Sequence, residues 1–347
     1  MDNQFDKFLS KVESKKIPLW AHLDLTYRCN AACIHCYCQD LPDEWSGPEL
    51  TTNEVFNLLE QLSEIGSLYL ILSGGEVLLR KDFFQIANYA RHLHFALTIF
   101  SNGLLIDEDK ANRLAELTPL AIEISIYGAD ASIHDAITQK PGSFEQVIKA
   151  VKLLKERNLW VVLKTTLMKS NFHQADMIKK LSSNLGADDY RFNLEISPKN
   201  DGNKTVQKYQ IDKWQLEEFV THQLKQETIP EICYQEANQK PLCGAGTIGC
   251  YIAPTGNTYP CAQLLRPMGN IKNQTFHEIW YGDSEIRHEL TGLNTYADLA
   301  ECRSCYYVKT CQRCNGMADL ETGDLKKCYP TLKHLSRIHY ELVNAKE

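Results

Sequence analysis

No stretch of this 347-residue chain approaches the roughly 18 consecutive apolar residues that a membrane-spanning helix needs, so the membrane is excluded as a partner. The first residues, Met1-Asp-Asn-Gln-Phe-Asp-Lys7, lack the basic start and apolar core of a secretory signal. Basic residues are outnumbered, 37 Lys and Arg against 44 Asp and Glu, and form no stripe, which excludes a dedicated nucleic-acid binder. Internal repeats and low-complexity tracts are missing too. The cytoplasm is therefore the expected compartment. There, 13 cysteines read as metal ligands or catalytic groups and not as a disulfide framework.

The length exceeds a usual single core, which predicts one large domain and a smaller one. From about residue 18 to 197, β-branched runs alternate with amphipathic segments. The strand candidates are 19–26, 68–73, 96–100, 121–126, 159–167 and 190–196, and the helix candidates between them are 52–65, 81–92, 107–117, 144–157 and 174–185. Six such units predict parallel strands with right-handed crossovers. A closed barrel of this type has eight, so six indicate an α/β fold with an open, partial (β/α)6 TIM-like barrel. Residues just after the strands should carry the chemistry. The run 198–205 is loop-like, and a helical stretch follows at 211–224. The expected division is 1–197 for the barrel, 198–239 for a bridging segment, 240–330 for a small cysteine-rich α+β domain and 331–347 for a terminal helix.

Three cysteines stand at the end of the first strand candidate, in Cys29-Asn-Ala-Ala-Cys33-Ile-His-Cys36. The first gap of three residues is absent from CxxC zinc pairs and redox dithiols. A tight loop with these spacings aims three thiolates at one centre. Three thiolates on a four-iron cluster leave one iron open, and an open metal position is where a ligand binds. A small zinc knuckle is the alternative. The second strand candidate runs into Ser73-Gly-Gly-Glu76, whose glycines let backbone approach a ligand closely.

Together these segments resemble the radical S-adenosylmethionine (SAM) enzymes. The resemblance implies that Cys29, Cys33 and Cys36 hold the SAM-binding 4Fe–4S cluster. It implies that Gly74, Gly75 and Glu76 contact the amino group of SAM, although Val77 stands where proline is usual. Asn102 in Phe100-Ser-Asn-Gly103 and Ser125 in Ser125-Ile-Tyr-Gly128 match further SAM-holding positions, against the reading that they are ordinary turn residues. His35, where the family prefers an aromatic ring, would pack near the adenine. Ile133-His-Asp-Ala-Ile-Thr138 matches a common segment, but an arginine often found near its end is Thr138 here. Arg191 could reach into the barrel with Lys164 and Glu195, or face outward in a salt bridge.

Eight cysteines follow residue 240: Cys243, Cys250, Cys261, Cys302, Cys305, Cys311, Cys314 and Cys328. By spacing alone two CxxC pairs also suit a zinc ribbon. Their order, with Gly256-Asn-Thr-Tyr-Pro-Cys261, resembles the SPASM extension of radical SAM peptide-modifying enzymes. The gap after Cys311 is two residues where three is common. The family's interleaving implies one auxiliary cluster on Cys243, Cys250, Cys261 and Cys314 and another on Cys302, Cys305, Cys311 and Cys328. That makes three 4Fe–4S clusters, fed by a flavodoxin- or ferredoxin-type reductant. Cys38 and Cys233 remain, spare thiols or hydrogen donors.

The mechanism implied is reductive cleavage of SAM to a 5′-deoxyadenosyl radical that abstracts hydrogen from a ribosomally made precursor peptide. Crosslinking, epimerisation, decarboxylation and backbone excision stay open. Sulfatase-maturing members carry an aspartate where this chain has Ala262, which lowers that alternative. A non-catalytic iron–sulfur electron-transfer or zinc protein is the alternative of another class. Fewer than 20 residues precede the barrel, too few for a recognition domain, so a separate small peptide-recognition protein is expected.

Overall fold

Six consecutive parallel strands form two thirds of a single nine-stranded open sheet. They are β1 (Trp20–Asp24), β2 (Tyr69–Ser73), β3 (Ala96–Ser101), β4 (Ala121–Ser125), β5 (Val161–Thr166) and β6 (Asp189–Asn193). The computed structural model describes residues 4–41, 47–224, 238–239 and 242–344. After α1 (Gln4–Ser14), the crossovers carry α2 (Thr52–Ile65), α3 (Phe83–His92), α4 (Glu108–Glu116), α5 (Ala131–Thr138), α6 (Ser143–Lys155) and α7 (Ala175–Asn184). Their starts are chemically marked. Thr51 and Glu54 make a reciprocal capping box on α2, and the Asp107 and Asp130 carboxylates cap α4 and α5. The short helix α5 went unforeseen because eight residues between an Asp cap and Gln139, which adopts φ 55°, are too few to show a period.

Period-two alternation sorts the strand residues onto two faces. Leu23, Leu72, Leu97, Ile99, Ile122, Ile124 and Leu163 are buried against Leu58, Leu59, Leu62, Ile86, Val147, Val151 and Leu154 of the helices. The opposite face presents His22, Phe100, Glu123, Lys164 and Arg191 to a cavity. The apolar face thus anchors the helices, and the polar face is left for chemistry.

The sheet continues past β1. Its order is β6-β5-β4-β3-β2-β1-β7-β8-β9, with β7 (Gly249–Ile252) parallel to β1 and β8 (Asn257–Tyr259) and β9 (Gly269–Asn270) antiparallel. Two free edges make it an open barrel. The cysteine-rich region therefore shares a sheet with the barrel, pairing Ala21 with Cys250. It also shares the core: Phe276, Ile279 and Trp280 of α9 (Phe276–Tyr281) belong to the same apolar cluster, and Trp280 Nε1–H donates to the Lys16 carbonyl at 2.6 Å. The helix α10 (Glu285–Thr291), the cysteine turns and α11 (Asn315–Thr322) follow. The last helix, α12 (Pro330–Asn344), packs on α8 (Lys213–Leu224), where Ile338 meets Leu216, Phe219 and Val220. Cys233 lies outside the described residues.

Arg80 braces the cavity end of the barrel. Its buried guanidinium donates to the Leu25 carbonyl at 2.8 Å and the Leu50 carbonyl at 2.7 Å, and pairs with Asp82 at 2.8 Å. Arg80→Ala leaves two buried carbonyls without their donor and Asp82 without its cation, so thermal unfolding under anaerobic conditions should show a loss of about 2 kcal/mol or more.

Candidate active site

The loop after β1 carries Cys29, Cys33 and Cys36, and its backbone is gripped from three sides. Gly75 N–H donates to the Thr26 carbonyl at 2.7 Å and Glu76 N–H to the Arg28 carbonyl at 2.9 Å. Ala32 and Ile34 donate to the Thr138 and Ile137 carbonyls at the end of α5, each at 3.0 Å, and Asn200 donates to the Tyr37 carbonyl at 2.8 Å. Lys140 Nζ reaches the Asn30 carbonyl at 2.9 Å. The glycines are a steric necessity. A Cβ on Gly74 would stand 2.2 Å from the Thr26 oxygen, and one on Gly75 would stand 2.4 Å from the Arg28 oxygen. Gly74 also sits at φ +139°, where side chains are rarely found.

Glu76 is buried beneath this loop. Its carboxylate accepts from Ser101 Oγ at 2.9 Å, Leu78 N–H at 3.1 Å and Asn102 N–H at 2.7 Å. Burial raises its pKa, and these bonds oppose the rise. Glu76 thereby locks the ends of β2 and β3 together, and its side chain is absent from the cavity wall while Gly74 and Gly75 line it. Asn102 points the other way, donating to Asn30 Oδ1 at 2.8 Å and to Cys29 Sγ at 3.6 Å.

Cys29, Cys33 and Cys36 open onto a cavity of about 550 Å³ shared with Gly74, Gly75, Asn102, Ser125 and His35. All the SAM-site residues expected from the sequence except Glu76 thus meet on one wall. Burial pushes the Cys29 and Cys33 thiols up, each repelled further by the others. Cys36 is held down by a hydrogen bond from Cys38, whose sulfur lies 3.6 Å away and whose own thiol is pushed up. His35 is desolvated, its pKa lowered to about 4, with its ring edge-on to Tyr127 at 4.7 Å. Its Nδ1 is buried without a hydrogen-bond partner, a polar atom left for a bound ligand. The three soft donors, the exposed glycine backbone and this orphaned nitrogen fit a SAM-binding cluster.

The His-Asp segment has a structural task. His134 Nδ1 accepts from Tyr127 N–H at 3.1 Å, and Asp135 accepts from Ser143 Oγ and Phe144 N–H, each at 2.8 Å. Thr138 is tied to Ser143 Oγ at 2.7 Å. Arg191 does both things open to it: it lines the cavity and pairs with Glu123 at 3.1 Å and Asp189 at 3.2 Å. Lys164 meets Glu123 at 2.8 Å. Glu195 also lines the cavity, and burial together with Glu321 raises its pKa to about 7. Sequence reasoning missed Glu123, the only charge in Ala121-Ile-Glu-Ile-Ser125, and His22, inward on β1; strand alternation was the signal for both. His22 Nε2 lies 3.1 Å from the buried Asp24 carboxylate, which accepts from Tyr251 Oη of β7 at 2.8 Å.

The later cysteines gather in two places. Cys302, Cys305, Cys311 and Cys328 border a hollow of about 480 Å³; burial first, and then the neighbouring cysteines, push the Cys302 and Cys328 thiols up, with the buried Arg313 acting in opposition. That donor set fits an iron–sulfur cluster. Burial, and then the nearby Cys243, pushes the Cys261 and Cys314 thiols up, and Cys314 Sγ donates to Gln263 Oε1 at 3.1 Å. Cys250 stands apart: burial alone raises its pKa, and its sulfur faces the Trp20 carbonyl at 3.9 Å. Among the described residues no three such side chains are gathered tightly enough to hold a single metal ion.

A fold of this kind, with three thiols at the end of its first strand, defines a radical SAM enzyme. The chain belongs to the Radical SAM superfamily, whose profile matches residues 23–181, and the SPASM iron–sulfur cluster-binding domain matches residues 243–315. It binds SAM and iron–sulfur clusters. It is 29% identical to the AdoMet-dependent heme synthase of Methanosarcina barkeri over 330 residues, covering 87% of this chain and 92% of that protein. It is 27% identical to the mycofactocin maturase MftC of Mycobacterium tuberculosis over 309 residues, covering 85% and 77%. The fold matches that of Streptococcus suis SuiB bound to the precursor peptide SuiA, with a TM-score of 0.70 at 18% identity over 94% of this chain and 79% of that one.

Because the Gly75 site has no room, Gly75→Ala should destabilise the protein by about 1–3 kcal/mol through overpacking. Gly292, with nothing within 4 Å of an added Cβ, is the control and should tolerate alanine to within about 0.5 kcal/mol. Paired denaturation curves of the two variants check the difference.

Proposed function

We propose that this radical SAM/SPASM enzyme is a peptide maturase that modifies a ribosomally made precursor. One observation carries the reading: Ala262 and Gln263, which directly follow Cys261, line the same cavity as Cys29, Cys33 and Cys36. An auxiliary cluster site adjoining the radical cavity suits an oxidation in which the substrate electron must be taken up. The similarity to MftC and the fold shared with the SuiB–SuiA complex support a peptide as substrate.

When bound, SAM and its cluster supply a 5′-deoxyadenosyl radical. The chain's own residues do the rest. Cys29, Cys33 and Cys36 would hold that cluster, and Gly74 and Gly75 would offer backbone to the SAM amino group, on a loop that Glu76 keeps in place. Asn102, Ser125 and His35 would border SAM. Cys243, Cys250, Cys261 and Cys314 are assigned to one auxiliary 4Fe–4S cluster and Cys302, Cys305, Cys311 and Cys328 to another, three in all. Cys250 would have to turn from Trp20 to join its set. Cys38, on the cavity wall, is the candidate hydrogen donor, with Arg191 and Cys233 the other catalytic candidates. A flavodoxin- or ferredoxin-type reductant, a separate small recognition protein and a cytoplasmic setting complete the proposal. Ala262, which offers no carboxylate directly after Cys261, speaks against sulfatase-type oxidation. A second reading is favoured by the near full-length match to the heme synthase: the substrate is then a heme precursor.

Anaerobically reconstituted protein should hold about twelve irons per chain, and the Cys29→Ala/Cys33→Ala/Cys36→Ala variant about eight, with no SAM cleavage. Zinc in their place would sink the reading. Mass spectrometry of a co-expressed neighbouring precursor peptide tests the substrate: a mass change dependent on Cys29 supports maturation, and an unchanged peptide beside a converted heme precursor selects the second reading.

A further inference from the structure

The inner face of the barrel carries an ion cluster that holding SAM does not explain. Glu123 of β4 has 6% side-chain exposure and receives Lys164 Nζ of β5 at 2.8 Å and Arg191 Nη1 of β6 at 3.1 Å. The two cations are far more open, with 38% and 57% of their side chains exposed, and both line the cavity. Arg191 Nε is engaged by Asp189 at 3.2 Å, outside the cavity wall, which together with the Glu123 contact fixes the guanidinium plane. Lys164 is steadied over the Phe100 ring at 3.9 Å. Two cations thus share one buried carboxylate inside the barrel. An ammonium has three donors and a guanidinium five, so both side chains keep N–H groups beyond their contacts with Glu123 and Asp189.

The cluster stands apart from the cysteine loop, with Ser125 register-paired to Lys164 where it adjoins the expected SAM contacts. The cysteine loop follows β1, whereas Lys164 and Arg191 stand on the last two strands, at the other end of the six-strand order. We propose that Lys164 and Arg191, splayed over Glu123, form a subsite that binds a carboxylate of the substrate and sets which carbon faces the radical. This deepens the functional reading above and rests on its radical cavity. The carboxylate has two possible sources, a peptide acid or the acid side chains of a tetrapyrrole. Glu123 acts as a positioning residue, holding both cations without touching the ligand.

The test uses the full, cluster-loaded chain and two matched probe pairs, followed by fluorescence anisotropy or absorbance under anaerobic conditions. One pair is a labelled ten-residue peptide with a free C-terminal carboxylate and its amide; the other is a porphyrin dipropionate and its dimethyl ester. In wild type at least one free acid should bind about tenfold or more tighter than its capped partner, as a charge-assisted pair requires. That preference should fall below about twofold in Lys164→Gln/Arg191→Gln and be only partly kept in Arg191→Lys, which retains the charge but loses the fork. SAM affinity should hold in all three proteins. The acid that discriminates identifies the source. The proposal is overturned by equal binding of acids and capped probes, by no binding of either acid, or by a loss of SAM affinity matching the loss of acid affinity, which would give the pair to SAM's own carboxylate. Dithionite-driven SAM cleavage by the wild type is read in parallel. Its absence removes the radical reading whatever the probes show, and its presence with no acid preference removes only the subsite.

Discussion

Everything at the active site depends on how closely two backbones approach each other. The Gly74–Gly75 turn lies against Thr26–Arg28 with no room for a Cβ, and the hydrogen bonds from Gly75 and Glu76 set the path of the cysteine loop. Glu76 then fastens the same turn to the end of β3 through Ser101 and Asn102. Asn102 closes the circuit by returning to Asn30 and Cys29. Loop, turn and strand end form one hydrogen-bonded unit, so the thiols are positioned by backbone before any iron is present. That is preorganisation in the sense that matters for a reactive site: the geometry is bought during folding.

Burial in this unit has an electrostatic side. The Cys29 and Cys33 thiols are held in a desolvated pocket beside Cys36, which favours their neutral forms and means that their ligation must release protons. The same holds for Cys302, Cys311 and Cys328, where Arg313 is the compensating charge. Its guanidinium is buried among carbonyls, donating to Lys327 at 2.8 Å. A cluster there meets a fixed positive charge that water cannot screen.

Much of this was legible in the sequence, for reasons that differ by residue. The strands were visible because one face is largely apolar, and α2 was placed at its observed bounds because Leu58, Leu59 and Leu62 mark one face of an amphipathic run. Cys29, Cys33 and Cys36 were visible as a spacing. Glu123, Lys164 and Arg191 sit 41 and 27 residues apart along the chain, and only the sheet register, Ser125 beside Lys164 and Lys164 beside Arg191, brings them together. The partners of Cys250 were hidden for the same reason. Nothing local tells that Gly249–Ile252 extends the sheet beside β1 and does not stand free in a separate small domain.

That pairing has a consequence for how the protein is made. β1 is synthesised among the first residues, yet the strand that covers its outer side is 225 residues further on, since Ala21 is bonded alongside Cys250 only at 229 positions' separation. While a ribosome is still adding the middle of the chain, the nascent barrel shows an uncovered strand rim next to three unliganded thiols. Such a rim invites pairing with a second nascent chain. The closing segment is therefore also a guard, and the enzyme's first strand stays vulnerable until the last third of the polypeptide has emerged.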